Sequence, residues 1–277
     1  MNRRSVPTLR DIASSIIIFK IRRLQNNKDI DVLCQFMNTF GVKNVPKNMK
    51  AIEKQLHGEL DMNDVCKCYY ICSNCGASYT NNVFTCQSCN EEVLMFKFYL
   101  SSIIKQIQQL LLVFGFFSKL KEEKLKNIHL FSNTKYGELL RNIQDNGFTM
   151  IINVDGATTC NKNLSLWPFI IVFNELPILD RRYLENIIVA GIIPTAKKPT
   201  NAVVQTCLQL IYEELTQLES GVEFYLADID ERKTLHFYLI ASCTDKPAEA
   251  LMANVVQYNA EYGCPKCFTR GTSIAIS

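Results

Sequence analysis

The sequence lacks any apolar run long enough to cross a bilayer. The longest, IIKQIQQLLLVFGFF (103–117), is interrupted by Lys105 and three glutamines. The N-terminal MNRRSVPTLRDIASSIIIFKIRR offers only IIIF before Lys20, with no small-residue cleavage site after it, which excludes a signal-peptide reading. Charge of one sign is missing too: 30 Lys and Arg against 27 Asp and Glu leave a net charge of +3, which permits a nucleic-acid partner without demanding one. Histidine is scarce. His57, His129 and His236 are the whole supply, so none follows residue 236 to serve as a late metal ligand. Repeats and low-complexity segments are absent. The expectation is a soluble, intracellular chain with no membrane partner.

What is present suits a globular protein. Hydrophobic residues make up 48% and charged residues 21%, enough to bury a sizeable core. In a reducing compartment the twelve cysteines are expected to be metal ligands and buried thiols rather than disulfides. Residues 1–60 are helical in pattern and basic, with a break at Val45-Pro46. Residues 61–95 hold half of the cysteines in a turn-rich background. Residues 96–148 read as a helical connector, FKFYLSSIIKQIQQLLLVFGFF and TKYGELLRNIQ, separated by KLKEEKLK as a solvated face. From 149 onward strands dominate: TMIINVDG, SLWPFIIVF and ENIIVAGIIP, then a helix over 202–218, strands at 222–227 and 234–243, and a helix from Pro247. The order β-β-β-α-β-β-α predicts an α/β region built on a mixed sheet with flanking helices.

CSNCGASYTNNVFTCQSC sets Cys72, Cys75, Cys86 and Cys89 as two C-x2-C pairs ten residues apart. Each pair brings two thiolates onto one tight knuckle, and two knuckles supply the four tetrahedral ligands of a structural Zn²⁺. This predicts a zinc ribbon, with Gly76 in a left-handed turn. Cys66 and Cys68, just upstream, are expected to be buried or incidental thiols. Cys34, Cys160, Cys207 and Cys243 have no partners at metal spacing and are expected to pack in the core.

Two aspartates stand at strand ends. Asp155 closes the strand that begins this region, and Asp245 follows the last strand, just before Pro247. On adjacent parallel strands the pair would emerge at one edge and could share Mg²⁺ for phosphodiester chemistry. The plainer reading is a turn at Asp155-Gly156 and a helix cap from Thr244 or Asp245. Trp167 is expected to anchor the core. His236 reads as a core or surface residue. Arg181 and Arg182 could pair with Glu175 or Glu185, or face DNA.

Three runs, VDGATTCNKNLSLWPFIIVFNELP, RRYLENIIVAGIIPTAKKPTN and LIASCTDKPAEALMANVVQYNAEYGCPKC, resemble the transposase domain of CACTA (En/Spm)-type DNA transposons and their animal relatives. The resemblance covers about residues 149–271. It lies in the ordered set of an Asp-Gly strand, S-x-W-P, E-L-P-x3-R, N-I-I-x-x-G-I, K-x-P, C-D-x-P-A-x-A and G-C-x-x-C, though the sixth cluster here reads C-T-D-K-P with an inserted threonine. It implies an RNase H-like catalytic core with an Asp-Asp-Glu triad on Mg²⁺ or Mn²⁺, acting on DNA in the nucleus as a possible homo-oligomer. The first two acids fall on Asp155 and Asp245, and Cys264 with Cys267 match the cysteine half of a second zinc site. Within this sequence neither the histidine half nor the third acid follows, so the expectation is a truncated or domesticated transposase remnant with impaired chemistry. The alternative is a zinc-ribbon DNA-binding or adaptor protein in which Arg3, Arg4, Arg10, Arg22, Arg23, Lys197 and Lys198 neutralise phosphates.

Overall fold

Helix starts near the N-terminus follow polar caps. The computed structural model describes residues 7–23, 25–57, 66–90, 92–158 and 164–255, divided into two units, Met1–Val65 and Cys66–Ser277. The first holds α1 (Leu9–Arg22), α2 (Asn27–Thr39) and α3 (Met49–His57). The Asn26 side chain caps α2 by accepting from the Asp29 amide at 3.0 Å. Asp31 on α2 accepts from the Met49 amide at 2.7 Å and so fixes where α3 begins. Ala13, Ile16, Ile30, Cys34 and Ile52 form the core of this unit.

The second unit begins with β1 (Cys66–Cys72), β2 (Ser78–Tyr79) and β3 (Met95–Ser101), followed by α4 (Ile103–Leu111), α5 (Phe116–Leu130) and α6 (Lys135–Asn142). It continues with β4 (Gly147–Val154), β5 (Ala157–Thr158), β6 (Ser165–Phe173) and β7 (Ile188–Thr195), then α7 (Asn201–Ser220), β8 (Val222–Leu226), β9 (Glu231–Ser242) and α8 (Lys246–Met252). The strands join in one mixed sheet ordered β2-β1-β3-β7-β6-β4-β9-β8, with β5 against β6. The fold is α/β, and apart from the two-residue β5 the order of strands and helices from residue 147 is the one the hydrophobic patterns predict.

One stretch differs from its sequence reading. FKFYLS is not the start of a helix but the strand β3, with Phe96 and Phe98 buried and Lys97 exposed between them. That period of two faces one side of the sheet. The helix starts only after Ser102, whose hydroxyl caps the Lys105 amide. Through β3 the cysteine-bearing hairpin is hydrogen-bonded into the main sheet, Tyr99 and Leu100 pairing with Ile192 and Gly191 on β7. The charged KLKEEKLK lies inside α5, where Lys126 pairs with Glu122 across one turn at 2.9 Å.

The core is aromatic. Phe148, Phe173, Phe224 and Phe237 meet at ring-centroid distances of 5.4–5.8 Å, and Phe98 meets Phe169 edge-on at 5.5 Å. Carboxylates distant in sequence cap two helices: Glu214 on α7 accepts from the Ile103 amide at 2.6 Å, and Asp228 accepts from the Ser118 amide at 2.7 Å. No single helix among the described residues is long and apolar enough to cross a membrane.

Candidate metal centre

The two C-x2-C segments fold as equivalent knuckles. In each, the residue after the second cysteine is left-handed, Gly76 at φ 76° and Asn90 at φ 55°. Its amide donates to the carbonyl of the first cysteine, Gly76 to Cys72 at 3.0 Å and Asn90 to Cys86 at 2.8 Å. Gly76 meets its sequence expectation. Asn90 was legible only in that Asn, unlike most residues, tolerates the left-handed region.

The knuckles bring the sulfurs of Cys72, Cys75, Cys86 and Cys89 within 4.8 Å of one another. Two cross-knuckle separations are 4.0 Å (Cys72 to Cys89) and 3.6 Å (Cys75 to Cys86). A tetrahedral ion with Zn–S bonds of about 2.3 Å needs sulfurs about 3.8 Å apart, so the four thiols fit Zn²⁺. The spacing is well beyond a disulfide bond of about 2 Å. Cys72 and Cys86 are buried.

The thiols differ in acidity because their neighbours differ. The Gln87 amide donates to the Tyr79 hydroxyl oxygen at 3.1 Å, and that hydroxyl lies 3.4 Å from the Cys86 sulfur. By donating to the thiolate it brings Cys86 down to about 6. Hydrogen bonding with the Cys75 thiol, then burial, pushes Cys89 up to about 12, and burial also raises Cys72. The cluster thus ionises more readily at Cys86 than at Cys72 or Cys89. A cation resolves this frustration by favouring all four thiolates.

The remaining described cysteines fall into three groups. Cys34 and Cys207 are buried, as expected of packing residues, and burial raises both thiols. Cys243 is exposed instead. It lies just past the end of β9, where its carbonyl accepts from the Asn153 side chain and its amide donates to the Ile152 carbonyl at 2.8 Å. Cys66 and Cys68 are half-buried on β1. Cys160, Cys264 and Cys267, with Arg3 and Arg4, lie outside the described residues.

The strands carrying the two aspartates are neighbours and parallel: β4 pairs β9 with Ile152 opposite Ser242. Asp155 and Asp245 each stand three residues beyond that pair, at the carboxyl ends of their strands, and both are exposed. Asp245 also caps α8, accepting from the Ala248 amide at 2.9 Å. Asp155 is followed by Gly156, where an added Cβ would stand 2.7 Å from the Trp167 ring. Trp167 packs against the core, as expected of an anchor, and it also seats the turn that presents Asp155. Gly156→Val should displace the indole, cost about 1–3 kcal/mol in urea unfolding, and move the emission of this sole tryptophan to longer wavelength. Unchanged emission would show that the turn does not rest on Trp167.

Strand directions gather these features on one edge. β1, β7, β4 and β9 all run the same way. The first knuckle after β1, Lys197 and Lys198 after β7, Asp155 after β4 and Asp245 after β9 therefore share the carboxyl edge of the sheet. The lysine turn is pinned: Thr195 Oγ1 accepts from the Lys197 amide at 3.0 Å and donates to its carbonyl at 2.8 Å.

At the opposite edge lies a polar cluster that spacing did not reveal. Glu175 is fully buried. It accepts from the Thr149 amide at 2.8 Å, the Thr149 hydroxyl at 2.6 Å and the Tyr136 hydroxyl at 3.3 Å. Arg181 neither pairs with Glu175 nor projects outward. Its guanidinium donates to the carbonyls of Leu176 (2.7 Å) and Asn174. His236 is half-buried on β9, with Nδ1 3.0 Å from the Glu219 carbonyl oxygen.

No curated protein matches the chain. A family model described as "Protein of unknown function (DUF1258)" matches residues 63–275, from just before β1 to well past α8. With three-quarters of its length inside that match, spanning both the cysteine knuckles and the two aspartates, the chain belongs to the DUF1258 family.

Proposed function

We propose that residues 66–277 derive from a DNA transposase with an RNase H-like core, and that Asp155 and Asp245 form the remnant of its divalent-cation site. The observation that carries this reading is the parallel pairing of β4 with β9, which gives the two aspartates equivalent positions at one sheet edge. Part of the topology supports the reading: three antiparallel strands (β4, β6, β7) and a helix precede β9, which returns parallel to β4, with the short strand β8 inserted between the helix and β9. Two exposed carboxylates offer hard oxygen donors suited to Mg²⁺ or Mn²⁺. When bound, such an ion supplies Lewis-acid polarisation of a phosphodiester and an activated water or hydroxyl. The chain's own part is to hold the carboxylates: Asp155 through the turn seated on Trp167, Asp245 through the first turn of α8. Two carboxylates by themselves hold such a cation weakly, so strand cleavage by this pair alone is at most feeble.

Cation and cap roles separate cleanly at Asp245, because asparagine caps a helix as well as aspartate does. In a Mn²⁺ titration followed by electron paramagnetic resonance, Asp155→Asn and Asp245→Asn should each weaken binding at least tenfold, while Asp245→Asn leaves helicity unchanged. Equal Mn²⁺ affinity in both variants and the parent chain would overturn the reading.

A second reading, a zinc-ribbon DNA-binding or adaptor protein without chemistry in the nucleus, is favoured by the pinned Lys197-Lys198 turn between the acidic pair and the knuckle. Its mark is salt dependence. Replacing both lysines with alanine should reduce the slope of log affinity against log salt by about 1.8 for duplex DNA.

A further inference from the structure

The cysteine site and α8 are joined through the beginning of α7. Thr200, the N-cap of α7, donates its hydroxyl to the Ser73 carbonyl in the first knuckle at 2.7 Å. Thr206, on the second turn, donates to the Gly76 carbonyl at 2.8 Å. The approach is tight: a Cβ on Gly76 would lie 2.7 Å from Thr206 Oγ1 and 3.0 Å from the Ala202 carbonyl oxygen. The knuckle backbone therefore sits directly on the first two turns of α7.

Those same turns hold α8. Gln205, adjacent to Thr206, donates through Nε2 to the carbonyls of Leu251 at 2.8 Å and Met252 at 2.9 Å. These are carbonyls at the C-terminal end of α8, which has no intrahelical donor for them. Asn201 reaches Asn254 at 3.3 Å. The helix so held has only seven residues. A helix that short is marginal on its own, so its formation depends on docking: buried Ala248, Ala250 and Leu251, the Asp245 cap, and the Gln205 clasp. It is the kind of locally stable element that opens without global unfolding. A docked and an undocked α8 give the two-state element that coupling requires.

We propose that metal occupancy of the Cys72, Cys75, Cys86 and Cys89 site governs the docking of α8, and with it the placement of Asp245, through the first two turns of α7. With the ion bound, the knuckle is a rigid brace that fixes Thr200, Gln205 and Thr206. Without it, the knuckle relaxes, the α7 start loses its brace, and α8 disengages. The consequence for the acidic pair rests on the cation-site reading above; the structural link does not.

Hydrogen exchange followed by mass spectrometry on the full chain tests the link. In chain stripped by chelator, amides 248–253 should exchange at least tenfold faster than in zinc-loaded chain, with less than a twofold change across β8 and β9. Because stripping could unfold more than the knuckle, Thr206→Val is measured with zinc still bound, its thiolate ligation verified by Co²⁺ substitution. It should show the same local loosening, and Thr206→Ser should restore protection. Unchanged protection of 248–253 in zinc-loaded Thr206→Val overturns the proposal whatever the stripped chain does. Mn²⁺ titration of the same samples keeps the two readings apart. Asp155-dependent Mn²⁺ binding with unchanged α8 exchange sinks the coupling alone, while absent Mn²⁺ binding with loosened α8 sinks the cation site and leaves the coupling standing.

Discussion

Cys86→Ser should abolish stoichiometric zinc binding and lower the melting temperature of residues 66–277 by about 10 °C. Serine matches cysteine in shape, but its hydroxyl does not ionise at neutral pH, so one corner of the tetrahedron loses its charge. Cys86 is a consequential corner because the Tyr79 hydroxyl holds it at about 6, a thiolate near neutrality before any ion binds. The cost spreads beyond the ribbon: Cys72 ends β1, and β1 is paired along its whole length with β3 in the main sheet. The pH dependence has a definite sign. Ligand thiols must be deprotonated to bind, so zinc affinity falls as pH drops and falls steeply once Cys86 itself protonates, below about pH 6. Atomic absorption on dialysed protein and a thermal melt with and without chelator check both parts. Retention of one zinc per chain in Cys86→Ser would remove this residue from the ligand set.

Glu175→Ala should destabilise the same unit by about 3–5 kcal/mol, measured by urea unfolding. The carboxylate is the common acceptor for three donors, the Thr149 amide, the Thr149 hydroxyl and the Tyr136 hydroxyl. Alanine leaves those donors buried without an acceptor and opens a cavity besides. Burial raises the Glu175 carboxyl above its ordinary value of 4.5, outweighing the donors that favour the charged form. For an acid whose folded value is raised, the native state binds the extra proton. Its contribution is full below about 4.5 and declines as pH rises through the folded value. The stability gap between the parent chain and Glu175→Gln should therefore narrow as pH increases from 4.5. A gap that widens would mean the charged form is the one the site favours.

How much of this was legible in the residues differs from element to element. The cysteine knuckles were, because tetrahedral thiolate coordination imposes a local spacing that no other common structure needs. The strands of 147–195 were, because runs such as TMIINV and FIIVF leave no position exposed, buried and half-buried residues largely alternating. The β3 strand was not: its two-residue period is short, and the helical pattern of IIKQIQQLL follows it immediately. Only Ser102, an N-cap placed after Leu100 and Ser101, marks the seam. The adjacency of β4 and β9 could be posed from sequence only as a condition, since strand neighbours are chosen by the packing of the whole sheet. Glu175 and Arg181 stand in a stretch singled out by the transposase resemblance, yet their work, satisfying Thr149 and the carbonyls at the end of β6, is long-range and has no signature in spacing. Cys243 was expected to pack inside and does not, because it sits just past the last paired residue of its strand.

The β4–β9 pairing is the one parallel ladder among the described strands, and it joins residues about ninety apart, as Asn153 and Cys243 show. Closing so distant a loop costs chain entropy before any contact rewards it, so such ladders assemble slowly. The β6–β7 and β8–β9 hairpin-like pairs, with nearer partners, are placed to form earlier. The β4–β9 ladder would thus be among the last to form, together with β3–β7, where Tyr99 pairs with the equally distant Ile192. A nascent or partly folded chain would carry both aspartates without yet presenting them together.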